Sequence, residues 1–403
     1  MFIFAGLVLL FSAFFVPYAY ARLSGWPKRF WPLQLLSLIF VVGYLALVAS
    51  RLFIEPNYFW AGVYDFLGLF FIFQVYFLFW LLVCWLIFII VKKKARARAN
   101  RVPLNSKKRK KNRAMAKYRH WVLEKAKSPT SWSKVLARLG LVLCLALVVY
   151  GAVRARFFEV TRYEIALAGL QEPVTVVHAP DLHLGNSRGK AYLESIIMAI
   201  KAEKPDLIFY NGDLVDSKLA LRKDIFDQFK TIAAEQYFTT GNHEYYVGVD
   251  LVVEWVKQAG LKVLRSERVI SHGIQFIGLE YMNADRQASD AHQVNQLAMD
   301  EELPKIATSP NFPLVVVHHS PVGVKYVQEA GALAMLTGHT HGGQLFPGTL
   351  MIQSRFPMYK GRYQSGPTTV LVSQGAGTFG PMMRLGSQNE IQVIKFVPAP
   401  VSS

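Results

Sequence analysis

The stretch "VTVVHAPDLHLG", residues 174–185, indicates the fold class of the C-terminal part of the chain. Four of its first five residues are β-branched, which is typical of a buried strand, and "APDLHLG" follows as a loop. The next segment, "GKAYLESIIMAIKAEKPD" at residues 189–206, has the apolar spacing of an amphipathic helix. Strand, loop and helix together form one unit of an α/β fold.

The same alternation recurs along the chain. Further strands are predicted at residues 206–211, 236–240, 271–282, 312–317, 332–336 and 368–372, and further helices at residues 221–235 and 249–260. Gly260 is expected to end the second of these helices. The pattern predicts a buried sheet with helices on its faces, and in such sheets functional groups gather at the carboxyl ends of the strands.

Polar groups of one chemical kind follow five of these strands. They are Asp181 and His183, Asp213, Asn242 and His243, His318 and His319, and His339 and His341. A protein core has no reason to collect carboxylates and imidazoles at one rim, so we expect them to meet at one edge of one sheet. Oxygen and nitrogen donors without thiolate suit divalent Mn, Fe, Zn, Ni or Mg.

In chain order the donors form the motifs D-x-H, G-D, "GNHE", H-x-P and "GHTHGGQ", between Asp181 and Gln344, within a resemblance that covers roughly residues 172–395. This set resembles the calcineurin-like metallophosphoesterases, and in particular their membrane-tethered bacterial branch. The resemblance implies a central β-sheet sandwich flanked by helices, two divalent metal ions and hydrolysis of a phosphate ester. One departure is Met382 in "GTFGPMMRLGSQNEI", where relatives often have a proline.

The resemblance also implies roles for individual residues. One metal would be held by Asp181, His183, Asp213 and His341, and the other by Asp213, Asn242, His319 and His339. Asp213 would bridge the metals, a bridging hydroxide would attack phosphorus, and His243 would serve the leaving oxygen as the catalytic acid.

Two residues near these motifs, His318 and Asp216, each allow two interpretations. His318 stays open as an alternative to His319. Asp216 either orients a ligand or caps a helix. The glycines of "GHTHGG" are expected to leave room for the phosphate, and His178 and His272 are expected to have no role in the site.

The first 91 residues of the chain and a further run near residue 140 are strongly apolar, and they predict an all-α transmembrane region. Three spans are expected within residues 1–91, at about 1–21, 33–54 and 62–91. A fourth, short span is predicted at residues 139–156, and the catalytic domain follows at residues 157–403. Between spans three and four, residues 92–138 carry 18 Lys and Arg against one acid, Glu124.

Charge orients the predicted spans, because loops rich in Lys and Arg stay in the cytoplasm. The basic loop 92–138 is therefore expected inside, and the catalytic domain on the periplasmic or extracellular side of a multi-pass inner-membrane protein. If span four does not cross, the orientation inverts. We interpret the basic loop as a contact for anionic membrane lipids, and expect no nucleic acid because no binding module is recognisable.

The leading hypothesis from the sequence is a membrane-anchored binuclear phosphohydrolase acting on a phosphomonoester or phosphodiester. Its substrate is expected to be phosphorylated and is hypothesised to be lipid-linked or part of the cell envelope. The alternative is a non-catalytic metal-dependent sensor or scaffold that binds a phosphorylated ligand at the membrane. A transport role for the spans is less favoured, because they contain few charged residues.

Overall fold

The computed structural model describes residues 15–24, 35, 37–39, 41–43, 58–100, 116–118, 120–121, 131–185, 188–287 and 294–400. The chain divides into two compact units. The first comprises Met1–Ile54 and Phe66–Tyr150, and the second comprises Glu55–Asp65 and Gly151–Ser403.

Helices dominate the described residues of the first unit. Helix α1, Tyr58–Asn100, and helix α2, Ser131–Arg154, are long and apolar enough to cross a membrane. Helical residues 15–24 contribute Val16 and Leu23 to an apolar cluster shared with Leu81 of α1 and Cys144 of α2. The two predicted N-terminal spans lie largely outside the described residues.

Both long helices extend beyond the predicted spans. Helix α1 continues to Asn100, so the first nine residues of the basic segment are helical. They include Lys, Arg and Ala, which favour helices, and no Gly or Pro. Helix α2 begins at Ser131, and its 24 residues span about 36 Å, more than the roughly 30 Å of a hydrocarbon core. The fourth predicted span is therefore long enough to cross.

Two six-stranded sheets form the second unit. The first has the order β1-β12-β2-β3-β4-β5 and the second β10-β11-β9-β8-β7-β6. The first sheet consists of β1 Phe158–Leu167, β2 Val174–His178, β3 Leu207–Asn211, β4 Glu235–Thr239, β5 Lys262–Val263 and β12 Asn389–Pro398. The second consists of β6 Glu267–Ser271, β7 Ile274–Gly278, β8 Leu314–Val317, β9 Ala334–Thr337, β10 Gly361–Ser365 and β11 Thr368–Val372.

The two sheets pack face to face because alternate side chains of each strand point to opposite faces. Val176 and Phe209 of the first sheet pack with Phe276 and Leu336 of the second in one core between them. On the outer face of the first sheet, Val177 and its neighbours pack in a second core. A third core covers the outer face of the second sheet. The predicted sandwich flanked by helices is confirmed.

Helices cover both outer faces. Those of the second unit are α3 Lys190–Ala202, α4 Lys223–Phe226, α5 Asn242–Val247, α6 Val249–Gln258, α7 Met299–Glu302, α8 Val324–Glu329 and α9 Gly348–Arg355. Helix α6 ends as predicted, with Gly260 at φ +89° two residues beyond it. Single-turn 3-10 helices lie at Lys218–Ala220, Phe229–Thr231, Leu303–Lys305 and His341–Gly343.

The prediction of one helix over residues 221–235 is wrong. The segment forms the short α4 and the 3-10 turn Phe229–Thr231. The side chain of Gln236 donates a 2.9 Å hydrogen bond to the carbonyl of Phe229. In a continuous helix, that carbonyl would instead accept a hydrogen bond from a backbone amide of the helix. Phe226 and Phe229 are both buried against the first sheet, so packing decides the local conformation here.

The expectation that all donors lie at the edge of one sheet is also wrong. Strands β2, β3 and β4 belong to the first sheet, whereas β8 and β9 belong to the second. Parallel strands run through both sheets, and Asn211 at the end of β3 donates to the carbonyls of His318 and Leu336, at 3.2 and 3.0 Å. The corresponding strand ends therefore lie side by side, so one site draws on both sheets.

Candidate metal centre

All eight sequence-predicted site residues lie in loops or helix starts at the carboxyl ends of parallel strands. Asp181 and His183 follow β2, Asp213 follows β3, Asn242 and His243 open α5 after β4, His319 follows β8, and His339 and His341 follow β9. The loops hydrogen-bond to one another, as when the amide of Asp181 donates to the carbonyl of Gly212 at 3.0 Å.

Backbone conformation is unusual at five of these residues. Among the described residues, nine that are not glycine have a positive φ, and five of them are Asp181, His183, Asp213, His339 and His341. L-residues adopt this region rarely, and such positions gather at functional sites. The loops hold these side chains in directions that relaxed loops would not favour.

A first group of donors consists of Asp181, His183 and His341, all buried, with ligand atoms within 4.8 Å of one another. Nε2 of His183 lies 2.9 Å from Nε2 of His341. The carboxylate of Asp181 lies 3.4 Å from the His341 nitrogen and 3.8 Å from that of His183. Three donor atoms thus converge on a small volume suited to one cation.

A second group consists of Asp213, His319 and His339, again with ligand atoms within 4.8 Å. Nε2 of His319 lies 3.2 Å from Oδ2 of Asp213 and 3.2 Å from Nδ1 of His339. The same Oδ2 of Asp213 is 3.9 Å from Nε2 of His183, which belongs to the first group. Asp213 therefore lies between the two groups.

Asn242 supplies an independent indication of a bound cation. It is buried at the start of α5, and within the part of the chain that the structure describes its Oδ1 has no hydrogen-bond partner. A buried polar oxygen without a partner costs about 1–3 kcal/mol. A metal ion bound to the amide oxygen would remove that cost, so the donor set fits a metal.

His318 and His319 differ in what their rings contact. Nδ1 of His318 faces the carbonyl of Ser320 at 2.8 Å, and its Nε2 accepts from the amide of Met282 at 3.4 Å. Nδ1 of His319 lies 2.8 Å from the carbonyl oxygen of Asn211, so the neutral ring carries its proton on Nδ1. The unprotonated Nε2 then faces Asp213. The geometry favours His319 as the donor.

Asp216 orients two rings. Its Oδ1 lies 2.6 Å from Nδ1 of His183 and 2.7 Å from Nδ1 of His243. A carboxylate at Nδ1 fixes the tautomer with its proton there and leaves Nε2 for another partner. The N-cap of the nearby 3-10 helix is Ser217, so of the two readings of Asp216 the structure supports the orienting one.

Electrostatics in the cluster are dominated by its carboxylates. Burial alone would lower the pKa of His243, but Asp213 and Asp216 raise it to about 10. Burial would also lower the pKa of His319, but Asp213 and Asp181 raise that pKa to about 9. The cluster therefore attracts positive charge, which protons or metal cations can supply.

Sequence reasoning missed Arg384, although the motif around it was noted. This arginine is fully buried and donates to Nδ1 of His341 at 3.1 Å and to its carbonyl at 2.6 Å. It also donates to the carbonyls of Gln374 and Gly377 in the loop after β11. Arg384 does not lie in an apolar pattern with the period of a helix or a strand, so the local sequence does not indicate that it is buried. Only the folded structure shows its burial.

Glu244 is a second missed residue. Its buried carboxylate accepts hydrogen bonds from the amides of Asp213, Leu214 and Gly241 at 2.8, 2.8 and 2.7 Å. It thereby fixes the loop that carries Asp213. The signal was present as the Glu of "GNHE", three residues after a glycine at the N-cap.

His178 and His272, for which the sequence predicts no role in the site, fall outside both donor groups. His178 hydrogen-bonds with Gln392 and Asn211 at 3.1 Å each, and burial lowers its pKa to about 4. His272 lies in the turn between β6 and β7.

The last two glycines of the "GHTHGG" motif are closely packed. A Cβ on Gly343 would collide with the backbone of Gly348 and Thr349, and one on Gly342 would meet the side chain of Gln374. Both glycines also have positive φ. Close packing therefore requires glycine at both positions, and the expectation that they leave room for a phosphate stays a prediction.

Comparison with known proteins identifies a family model and several proteins to which this chain is similar. Residues 174–343 match the family model described as calcineurin-like phosphoesterase. The chain is 27% identical over 238 residues to an uncharacterised metallophosphoesterase of Helicobacter pylori, covering 58% of this chain and 62% of that protein. It is 30% identical over 271 residues to a transmembrane protein with metallophosphoesterase domain of Danio rerio, covering 63% and 61%. It is 25% identical over 254 residues to the phosphodiesterase YaeI of Escherichia coli, covering 60% and 89%.

Residues 174–343, which match this family model, carry a His and Asp cluster able to hold metal ions. This region is similar to the calcineurin-like phosphoesterases, as the motifs predicted. The chain spans 62% and 61% of the lengths of the Helicobacter and Danio relatives.

Proposed function

We propose that this protein is a membrane-anchored phosphohydrolase that uses two divalent cations to cleave a phosphomonoester or phosphodiester. The observation that carries the proposal is the convergence of two donor groups near Asp213, together with the unpartnered Oδ1 of Asn242, whose neighbour His243 donates its amide to Asp213 at 2.8 Å. A purely structural cluster would have satisfied that oxygen with a hydrogen bond.

The assignment of ligands follows the two donor groups. Asp181, His183, Asp213 and His341 hold one cation, and Asp213, Asn242, His319 and His339 hold the other. The donors suit Mn, Fe, Zn, Ni or Mg. Bound cations would lower the pKa of coordinated water and neutralise the charge of a phosphate group.

His243 is assigned as the group that protonates the leaving oxygen. Its side chain is 23% exposed, so it can reach a substrate, and Nε2 lies 3.9 Å from Oδ2 of Asp213. Because Nδ1 of His243 contacts the carboxylate of Asp216, Nε2 of the same ring points away from Asp216. A positioned imidazolium is a suitable general acid for an alkoxide leaving group.

Membrane attachment is the second part of the proposal. Helices α1 and α2 act as two of several spans, residues 92–138 lie in the cytoplasm against anionic lipid, and the catalytic domain lies on the outer side. A domain held at the bilayer meets lipid-borne phosphates at high local concentration, so the substrate is lipid-linked or part of the cell envelope.

The test uses the full-length protein in nanodiscs. Asn389 hydrogen-bonds the carbonyls of Ala155 and Phe157, and Arg384 bonds that of Gly151, so a fragment that starts at residue 157 would lose native contacts. Hydrolysis of p-nitrophenyl phosphate and bis-p-nitrophenyl phosphate is measured with Mn²⁺. Asp213→Asn is expected to lower the rate roughly a hundred- to a thousandfold.

The control for this test is Asp227→Asn, which alters an exposed carboxylate paired with Lys230 and should leave the rate near wild type. Undiminished hydrolysis by Asp213→Asn contradicts the proposal. Binding of Mn²⁺ and phosphate without turnover of either ester supports the sensor or scaffold instead. Reporter enzymes fused after residue 403 test the proposed outer location, which a reporter active only in the cytoplasm would refute.

A further inference from the structure

Four bulky apolar side chains are exposed on one side of the metal centre. They are Phe346, Leu350, Met351 and Phe379, which we call the apolar rim, and their exposed fractions are 50%, 61%, 69% and 48%. Leu350 and Met351 lie in α9, a helix of eight residues in which Thr349 is the buried one. Grouped exposed apolar residues of this kind mark interaction surfaces.

The apolar rim adjoins the candidate site directly. The ring of Phe379 lies 5.2 Å from that of His341 and 6.5 Å from that of His183, measured between centroids. Gln344 binds the backbone of Phe379 through both ends of its amide, at 2.9 and 3.2 Å, and Phe346 follows it by two residues. A molecule that lies on the rim therefore has its polar end near the donors.

The apolar rim also lies next to the last turn of the apolar helix α2. Leu345 pairs with Leu385, and the amide of Phe346 donates to the carbonyl of Leu385 at 2.8 Å. The neighbouring amide of Arg384 donates to the carbonyl of Gly151 at 2.9 Å, in the last turn of α2. One short loop thus joins the rim to the point where a candidate membrane span ends.

We propose that the apolar rim rests in the surface of the lipid bilayer and that the site accepts phosphate esters carried on lipids. The hydrogen bond to Gly151 favours the bilayer as the occupant, because Gly151 lies in the last turn of a helix that is long and apolar enough to cross a membrane. Apolar side chains at a membrane interface gain free energy in proportion to the area they bury in it. The substrate part of this inference rests on the proposed phosphohydrolase function, whereas the surface part does not.

The surface part is tested by fluorescence on the full chain in nanodiscs of phosphatidylcholine and phosphatidylglycerol. A polarity-sensitive dye is attached to Met351→Cys in a background where Cys84 and Cys144 are replaced by serine. The matched control is Met198→Cys on α3, which replaces a methionine that is 66% exposed. Nitroxide-labelled lipid is expected to quench the dye at position 351 and to leave the dye at position 198 unquenched.

Equal quenching at both positions, or none at position 351, overturns the inference. A blue-shifted dye at position 351 that is insensitive to the nitroxide lipid also overturns it, since a protein partner or a second copy of the chain would then cover the rim. This experiment needs no catalytic activity, so its result stands even if the chain hydrolyses nothing.

The substrate part is tested with Leu350→Ser/Met351→Ser, and Met198→Ser is the control. The ratio of phosphatidic acid hydrolysis in the nanodisc to p-nitrophenyl phosphate hydrolysis in solution is expected to fall roughly tenfold in the double variant alone. An unchanged ratio, or a wild type that hydrolyses only the soluble ester, contradicts lipid-borne substrates. A wild type that hydrolyses neither ester contradicts the proposed function, and with it the substrate part, but leaves the quenching result intact.

Discussion

The guanidinium of Arg384 binds His341 at two points, donating to its carbonyl oxygen at 2.6 Å and to Nδ1 of its ring at 3.1 Å. Through its own amide, Arg384 also binds Gly151 in the last turn of α2. One residue thus connects a predicted metal ligand with the end of an apolar helix. The hydrogen-bond network that supports the candidate site therefore extends to the residues that precede β1.

Arg384→Lys is predicted to weaken Mn²⁺ binding roughly ten- to a hundredfold, because lysine lacks the planar fork that binds His341 and the loop after β11 together. Arg188→Lys is the control. Arg188 is also buried and donates to Thr378 in the same loop, but it does not bind His341. Isothermal titration of the full chain measures the affinities. Equal losses in the two variants would show that Arg384 acts only on the loop.

Asp216→Asn is predicted to lower kcat roughly ten- to a hundredfold on p-nitrophenyl phosphate at saturating Mn²⁺, with little change in KM. The physical reason is that one carboxylate oxygen orients both His183 and His243, and a neutral amide can hold neither imidazole as firmly. Asp224→Asn, at an exposed carboxylate paired with Arg222, is the control. A kcat that matches the control would rule out this orienting role.

Asn242→Leu is predicted to have opposite effects with and without metal. In chelator the variant should melt at or above the wild-type temperature, because it removes a buried oxygen without a partner, worth about 1–3 kcal/mol. With Mn²⁺ the wild type should gain stability and the variant much less. Calorimetry of both proteins in both conditions measures this. A variant that gains as much from Mn²⁺ as the wild type would exclude Asn242 as a ligand.

Glu244→Gln is predicted to destabilise the domain by about 3 kcal/mol, since the new amide group would face backbone amides that need an acceptor. The three amides belong to Asp213, Leu214 and Gly241. Urea unfolding followed by circular dichroism measures the change, and Glu254→Gln, an exposed position on α6, is the control. Similar unfolding midpoints for the two variants would show that Glu244 is not needed to hold this loop.

Strands with dense β-branched or apolar residues were predictable from the sequence. Strands β2, β3, β4, β7, β8, β9 and β11 all overlap predicted segments, because their burial on both faces leaves continuous apolar runs. The prediction missed β1, whose exposed residues interrupt the apolar pattern. It also missed the parallel pairing of β1 with β12, which joins Phe158 to Asn389 across most of the domain. No local pattern specifies such a pairing.

The sequence by itself determined the type of fold and predicted the donors of the candidate site, since short apolar runs followed by Asp, His and Asn indicate both the strands and the groups at their ends. Tertiary structure alone decided how those groups combine. Two sheets had to pack before β3 and β8 met, and only then did His319, and not His318, face Asp213. Arg384 and Asp216 acquired their roles in the same way, because a side chain's hydrogen-bond partners depend on which distant loops the fold brings within about 3 Å of it.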